Sequence, residues 1–144
     1  MEKSKQSLKT IFAEALEYYK RRDFKTAEVF CYKILSIDHN HFDSISLLAN
    51  IFGVNRNFDK AKEFLEQAIE IAPNFEEALN NLGTIYHRER NYIRAIELFE
   101  RALEVNPESF PAQVNLCGSV FARIGRNLGS VHNSRGRVRS ILDK

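Results

Sequence analysis

An internal repeat constrains the fold of this chain more than any other feature. When residues 42–75 are laid over residues 76–109 without gaps, ten of the 34 positions are identical. Average composition would give about two identities. A fixed period of this length is typical of an array of small structural repeats, in which neighbouring repeats cover each other's apolar surface. We therefore expect an array, rather than a domain built around one central core.

Each repeat has the pattern of two amphipathic helices. Apolar or small residues recur at positions i, i+3, i+4 and i+7, which lie on one side of a helix. The pattern occurs twice in the third repeat: at Leu79, Leu82, Gly83 and Tyr86, and again at Ala95, Leu98, Phe99 and Ala102. The sequence thus predicts a helical hairpin for each repeat.

The predicted helix boundaries follow from this periodicity and from capping residues. A short motif recurs between the two helices of each repeat, as Arg22-Asp23-Phe24, Arg56-Asn57-Phe58 and Arg90-Asn91-Tyr92. In each, the Asp or Asn side chain can cap the second helix. Pro73 and Pro107 lie at the ends of the second and third repeats and mark the end of the second helix, because proline does not continue a helix. The predicted helices are residues 7–20, 24–37, 42–54, 58–71, 75–88, 92–105 and 110–124.

The third repeat closely resembles a tetratricopeptide repeat. The residues that carry this resemblance are Leu79, Leu82, Gly83, Tyr86, Ala95, Phe99, Ala102 and Pro107. The second repeat matches at the same places, and the first repeat matches more weakly. The resemblance implies an all-α, right-handed superhelical solenoid in residues 1–124. Its parts would be three full repeats at about 8–41, 42–75 and 76–109, with a partial fourth at 110–124.

The C-terminal segment departs from this pattern. Residues 1–108 contain 15 Lys and Arg against 18 Asp and Glu, whereas residues 109–144 contain 6 against 1. Four of the six glycines lie between residues 118 and 136. We expect residues 125–144 to be a basic, Gly- and Arg-rich tail that is irregular or forms only a short helix. Such a tail would cap the array poorly, which favours self-association through the C-terminal end.

The sequence contains no arrangement of residues typical of catalysis. It has no nucleophile–base pair, phosphate-binding glycine loop or metal-ligand spacing, so we expect neither an enzyme nor a cofactor. His39 and His41 lack a third ligand in sequence and fit a solvated turn. Cys31 and Cys117 occupy packing positions of the repeat, so we expect buried, inert thiols. No segment has the length and apolar composition of a membrane span or signal sequence, which predicts a cytoplasmic protein.

The family resemblance indicates where a partner would bind. In tetratricopeptide proteins the first helices of the repeats line a concave groove that holds an extended peptide or a partner helix. Carried over position by position, the candidate groove residues are Phe12, Leu16, Tyr19, Leu47, Asn50, Asn80, Asn81, Thr84, His87, Arg88 and Asn115.

Two features of this set suggest a mode of binding. Asn81 and Asn115 occupy the same position in successive repeats. Because a carboxamide both donates and accepts hydrogen bonds, the pair could hold a peptide backbone. This is similar to the asparagine ladder in the repeats of O-linked glycosyltransferases, although asparagine is also common at this position in the family generally. The carboxylate clamp that some family members use to bind acidic chaperone C-termini is incomplete, since Ser46, Pro111 and Asn115 replace its basic residues.

These observations predict a non-catalytic scaffold that binds a protein or peptide of unknown identity in its groove. One alternative is that the chain is the repeat portion of a larger glycosyltransferase or sulfotransferase system that lacks its catalytic domain here. Another is that the basic tail binds nucleic acid or an anionic surface. Arg123, Arg126, Arg135, Arg137 and Arg139 would then contact phosphates, and we consider this the weaker interpretation.

Overall fold

The structure is a computed structural model that describes the backbone of residues 2–142 and the side chains of residues 7–127. The described residues form seven α-helices and no strand. The helices are α1 (Glu2–Lys20), α2 (Phe24–Leu35), α3 (Phe42–Val54), α4 (Phe58–Ile71), α5 (Glu76–Arg88), α6 (Tyr92–Val105) and α7 (Phe110–Leu142). The predicted all-α class is therefore confirmed. The helix boundaries agree closely with the prediction, except at the start of α1 and the end of α7.

The chain divides into two compact units, Met1–Ala78 and Leu79–Lys144. We call them the N-terminal unit and the C-terminal unit. The N-terminal unit contains α1 to α4 and the first residues of α5, and its core is formed by small and branched side chains of these helices. Fully buried examples are Ala15, Ala27, Ile34, Ile45, Leu48, Ile51, Ala61 and Ala68. In the C-terminal unit the fully buried side chains include Leu79, Ala95, Phe99, Ala102 and Ala112.

The repeated Asp or Asn between the paired helices caps the second helix, as predicted. Asp23 accepts a hydrogen bond from the backbone N–H of Thr26 at 3.1 Å. The side chains of Asn57 and Asn91 accept equivalent bonds from backbone N–H groups three residues further along, each at 3.4 Å. Hydrogen bonds from the side chain and backbone of Thr26 lower the pKa of the Asp23 carboxyl, because they stabilise its charged form.

The arginine before each cap adopts a left-handed backbone conformation. Arg22, Arg56 and Arg90 have φ angles of 64°, 60° and 62°. At each of these turns two backbone hydrogen bonds close the end of the preceding helix. In the turn at Arg56, the N–H of Arg56 donates to the carbonyl of Gly53 at 3.1 Å, and the N–H of Asn57 donates to the carbonyl of Phe52 at 2.9 Å. This is a Schellman motif, whose left-handed position usually holds glycine. The three arginines therefore carry a steric cost that glycine would not.

Arg56→Gly is expected to stabilise the protein by about 0.5 to 1 kcal/mol. Relief of the left-handed conformation contributes about 1 to 2 kcal/mol, and the greater freedom of glycine in the unfolded chain offsets roughly half of it. Arg56→Val is the matched control, because a β-branched residue fits this φ worse than arginine. In chemical denaturation, Arg56→Gly should be the most stable protein, the parent intermediate and Arg56→Val the least stable. A glycine variant less stable than the parent would contradict this account.

A close approach between α5 and α6 defines the packing within the third repeat. A Cβ atom built at Gly83 would lie 2.7 Å from Cε1 of Phe99, which is closer than van der Waals contact allows. The Phe99 ring is fully buried. Gly83 therefore provides the space that the phenylalanine ring occupies.

The last helix is longer than the sequence predicts. The expected end lies near residue 124, followed by an irregular or short-helical tail, whereas α7 continues to Leu142. Isolated glycines such as Gly118 and Gly125 cost a helix about 1 kcal/mol each without ending it. No proline follows Pro111 in the sequence to interrupt the backbone hydrogen bonds.

The two cysteines differ in environment. Cys31 is buried, as expected, and burial together with Glu28 raises the pKa of its thiol to about 12. Cys117 is exposed, so the expectation that it is buried was wrong. The reason is that the side of α7 on which Cys117 lies has no covering element among the described residues.

Candidate functional site

The N-terminal unit contains five of the candidate groove residues. Phe12, Leu16 and Tyr19 lie on one side of α1 and are half-buried. The Phe12 ring lies 5.6 Å from the His41 ring, and the Tyr19 ring lies 5.4 Å from Phe24. These aromatic side chains are thus partly occupied by contacts within the unit and expose only part of their surface.

Leu47 is not available to a ligand. Only 5% of its surface is exposed, and it belongs to the core of the N-terminal unit. Most residues of α3 are buried. A helix that is apolar around most of its circumference is buried on more than one side. Leu47, which was predicted to face the groove, therefore lies in the core.

Asn50, the other candidate on α3, is half-buried and interacts with an acidic residue. Its Nδ2 donates a hydrogen bond to Glu77 Oε1 at 3.3 Å. The neighbouring Ser46 Oγ is buried and has no hydrogen-bond partner among the described residues. This region therefore presents a carboxylate, where an acid-binding clamp would need cations.

The C-terminal unit brings three candidate residues into one hydrogen-bonded cluster. Asn115 on α7 donates from Nδ2 to Asn80 Oδ1 at 3.1 Å and to Thr84 Oγ1 at 3.4 Å. The Thr84 hydroxyl in turn donates to the backbone carbonyl of Asn80 at 2.9 Å. All three side chains are half-buried. We call Asn80, Thr84 and Asn115 the amide cluster.

The hydrogen bonds of the amide cluster fix the orientation of the Asn115 carboxamide. Because the Thr84 hydroxyl uses its only proton on the Asn80 carbonyl, it can only accept from Asn115. The nitrogen of Asn115 must therefore point toward Asn80 and Thr84. Within the described part of the chain, this leaves Asn115 Oδ1 and Asn80 Nδ2 without hydrogen-bond partners. One acceptor and one donor thus remain on adjacent side chains.

The repeat spacing did not predict the hydrogen bond within the cluster. Asn81 is the residue that shares its repeat position with Asn115, whereas the side chain bonded to Asn115 is that of Asn80, one position earlier on α5. Asn81 is half-buried on α5. Equivalent repeat positions need not face each other, because which side chains meet depends on how the two helices are offset.

The remaining candidates on α5 have different surroundings. His87 is half-buried, and its Nδ1 lies 2.8 Å from Oγ of Ser119, which is fully buried. The His87 ring also packs against Tyr92 at 5.3 Å. Arg88 is exposed. His87 thus links α5, α6 and α7, and Arg88 is the candidate most accessible to solvent.

One arginine of the basic segment contacts the protein itself. The Arg126 guanidinium lies 4.8 Å from the centre of the Tyr92 ring and donates to the Arg90 carbonyl at 3.0 Å. Arg123 is exposed. The side chains of Arg135, Arg137 and Arg139 lie outside the described residues. Of the five arginines considered for phosphate binding, Arg126 therefore makes contacts within the protein.

The described residues also bear on the role of His41, on metal binding and on membrane spanning. His41, which the sequence placed in a turn, caps α3: its Nδ1 accepts from the Ser44 backbone N–H at 3.3 Å. Residues 7–127 contain no group of three or more His, Cys, Asp or Glu side chains placed to hold a metal ion. Within the same range, no helix combines the length and apolar character needed to cross a bilayer.

A surface depression lies away from all the candidate residues. It has a volume of about 370 Å³ and runs along α1. Its lining residues are Thr10, Ala13, Glu14, Glu17, Tyr18 and Arg21. None of them is among the candidate groove residues named above, so the depression gives no support to that site.

Comparison with known proteins identifies the family. Residues 43–75 and 76–109 each match the tetratricopeptide repeat. The chain is therefore a tetratricopeptide repeat protein. Repeats of this family are generally non-catalytic interaction modules. No curated protein sequence matches the chain significantly.

Solved structures with the same fold include tetratricopeptide domains and an enzyme. The first such domain of Spaghetti (RPAP3), bound to the HSP90 peptide SRMEEVD, is 18% identical with a TM-score of 0.77 and covers 83% of this chain and 94% of that one. The Sgt2 tetratricopeptide domain from Aspergillus fumigatus is 21% identical with a TM-score of 0.76. This alignment covers 86% of this chain and 83% of the Sgt2 domain. A mutant O-GlcNAc transferase from Thermobaculum terrenum is 23% identical with a TM-score of 0.71. The alignment covers 80% of this chain but only 22% of the transferase.

Proposed function

We propose that this protein is a non-catalytic scaffold that binds an extended peptide segment of a partner protein. The amide cluster on α5 and α7 carries the proposal. Asn80 retains a free donor and Asn115 a free acceptor, while their mutual hydrogen bond holds both side chains in place. A peptide backbone presents the complementary pair, a carbonyl and an N–H, in every residue except proline. The cluster therefore suits recognition of a backbone regardless of sequence.

Preorganisation strengthens this argument. Free asparagine side chains lose rotamer entropy when they bind a ligand, which weakens binding. In the amide cluster, the bonds from Asn115 to Asn80 and Thr84 already restrict both carboxamides. A peptide that bonds to the remaining donor and acceptor therefore incurs less of this cost.

The charges in the N-terminal unit argue against an acidic C-terminus as the ligand. Spaghetti is bound to a peptide, SRMEEVD, that contains three acidic residues. In the present chain, Asn50 is bonded to Glu77, and Ser46 stands where a clamp lysine would be. A carboxylate at this position repels an acidic peptide. A ligand that binds at α3 of the N-terminal unit would therefore be neutral or basic there.

The transferase alternative rests on fold similarity alone. The O-GlcNAc transferase shares its helical fold with this chain over 22% of the transferase's own length. In this alternative the amide cluster would bind the peptide part of the substrate, so both proposals predict the same binding surface.

Removal of the amide cluster is expected to weaken peptide binding by about 1 to 3 kcal/mol. Peptides would first be selected from a displayed library of short, random, unstructured sequences. Affinities of the selected peptides would then be measured calorimetrically for the parent, for Asn80→Ala/Asn115→Ala and for Asn81→Ala. A thermal melt of each variant establishes that it is folded at the assay temperature.

The matched control lies on the second helices of the repeats. Glu63 and Glu97 are exposed on α4 and α6, so Glu63→Ala/Glu97→Ala should leave binding unchanged. If the glutamate variant loses affinity and Asn80→Ala/Asn115→Ala does not, the ligand binds to the second helices of the repeats. That result would refute the proposed site.

A further inference from the structure

Helix α7 has two chemically different sides. The side that packs within the C-terminal unit consists mostly of small and polar residues, and its buried or half-buried members are Ala112, Asn115, Leu116, Ser119 and Ala122. Ala112 and Ser119 are fully buried. The opposite side consists of Phe110, Val114, Cys117, Phe121 and Ile124, and we call this set the α7 stripe. An ordinary surface helix has the reverse arrangement, with its apolar side against the protein.

The α7 stripe is strongly exposed. Phe110 and Phe121 are 72% and 76% exposed, and Val114 and Ile124 are 51% and 50% exposed. Cys117, between them, is also exposed. Adding the exposed portions of these five residues gives about 500 Å² of apolar surface, larger than isolated apolar residues account for. Such a surface indicates a binding partner.

The spacing of the stripe is that of a helix that pairs with another helix. Its members follow one another at intervals of four, three, four and three residues. This is the heptad pattern that places apolar side chains along a single seam between two helices. The same intervals continue in the sequence to Leu128 and Val131. The expected occupant of the stripe is therefore a helix with an apolar seam of its own.

The borders of the stripe are uncharged. From Phe110 to Asn127 the only charged residues are Arg123 and Arg126. By helical geometry both lie off the stripe, and Arg126 is held against Tyr92 on the opposite side. Gln113 and Asn127 form one border, and Gly118 and Gly125 form the other. A Cβ atom at either glycine would meet no heavy atom within 4 Å, so a second helix can approach closely there.

We propose that the α7 stripe binds the same stripe of a second copy of this chain, forming a two-fold symmetric dimer. A two-fold interface uses one surface twice, so that surface must be compatible with itself. The stripe meets this condition because it is apolar at its centre and carries no charge along its borders to repel a copy. Two stripes of about 500 Å² bury about 1,000 Å² together, which is the lower limit for a specific interface. This surface is on the opposite side of α7 from the amide cluster, so the dimer does not depend on the proposed peptide binding.

The geometry makes a specific prediction for Cys117. Five residues form the stripe, and Cys117 is the third. Any two-fold pairing that buries the whole stripe therefore brings Cys117 next to Cys117 of the second copy, whether the helices run parallel or antiparallel. A disulfide needs Cα atoms about 4.4 to 6.8 Å apart, which paired helices can reach at such positions. Cys31 is buried and serves as an internal control.

The first test is the mass of the full chain in solution. Sedimentation equilibrium between roughly 1 and 200 μM should show a monomer–dimer equilibrium that persists at 1 M salt, because apolar contacts are not screened. Phe121→Asp should weaken dimerisation at least about tenfold, since it places a carboxylate in the seam. Ile93→Asp is the matched control: Ile93 is 57% exposed on α6, away from the stripe, and its replacement should leave the equilibrium unchanged.

The second test uses the thiol. Treatment of the parent with diamide, which takes up the two thiol hydrogens, should give a covalent dimer on a non-reducing gel. Cys117→Ser should abolish this dimer, and Phe121→Asp should reduce it strongly. Circular dichroism of each variant establishes that the helices are intact.

Several outcomes would overturn the proposal. A parent that stays monomeric up to about 200 μM without a Cys117-linked dimer would do so. A dimer of unchanged affinity in Phe121→Asp would show that copies associate through another surface. Binding to phosphatidylcholine vesicles by a monomeric chain would assign the stripe to a membrane surface instead.

Discussion

Gly83→Ala is expected to destabilise the protein by about 1 to 2 kcal/mol, although alanine is the better helix former. The new Cβ would lie 2.7 Å from the buried Phe99 ring. Overpacking of this kind costs roughly 1 to 3 kcal/mol. The higher helix propensity of alanine stabilises the variant by at most about 1 kcal/mol. The steric clash is therefore expected to determine that the substitution is destabilising.

The second repeat supplies the rescue for this variant. At the positions equivalent to Gly83 and Phe99 it has Ala49 and Leu65, both buried. In both of these repeats a small residue thus lies opposite a large one, and the two pairs differ in how the volume is divided between them. Gly83→Ala/Phe99→Leu installs the pair from the second repeat and should recover most of the lost stability.

Gly53→Ala is the control for helix propensity alone. A Cβ atom at Gly53 would meet nothing within 4 Å, so this substitution should stabilise by up to about 1 kcal/mol. Urea denaturation of the parent and of these three variants measures the differences in the free energy of unfolding. If Gly83→Ala and Gly53→Ala change stability equally, the contact with Phe99 does not limit the packing.

Ala95→Leu is expected to cost on the order of 1 to 3 kcal/mol and to lower the melting temperature by several degrees. Ala95 is fully buried at the start of α6, in the core of the C-terminal unit. Three additional carbon atoms can be accommodated there only if the neighbouring helix moves or side chains leave their preferred rotamers.

Arg101→Leu on the same helix is the control for this prediction. Arg101 is exposed, so the substitution introduces the same leucine without overpacking a core. Its melting temperature should stay close to that of the parent. An Ala95→Leu variant that melts with the parent would contradict the close packing of the repeat.

The local structure of this chain could be predicted from sequence because its signals are local. The 3.6-residue periodicity and the capping Asp or Asn depend on residues within four positions of each other. The structure accordingly confirmed the caps at Asp23, Asn57 and Asn91. The left-handed arginines that precede these caps were missed, since nothing in the type of residue announces a positive φ.

The candidate site was predictable only in part. Repeat positions identified α5 and α7 as carriers of amide side chains, and Asn115 does lie against an asparagine of α5. The hydrogen bond between Asn115 and Asn80 was not predicted, because the offset between the two helices determines which side chains meet. The bond from Asn50 to Glu77 was missed for the same reason, since it joins two different helices that are far apart in sequence.

The repeated helical hairpins with capped second helices follow from the order of the amino acids. Which apolar residues are covered became clear only when the helices were packed together. Leu47, expected in the groove, is buried, whereas Cys117 and Phe121 on α7 are exposed. The physical reason is that periodicity states which residues share a side of a helix, but burial depends on what packs against that side.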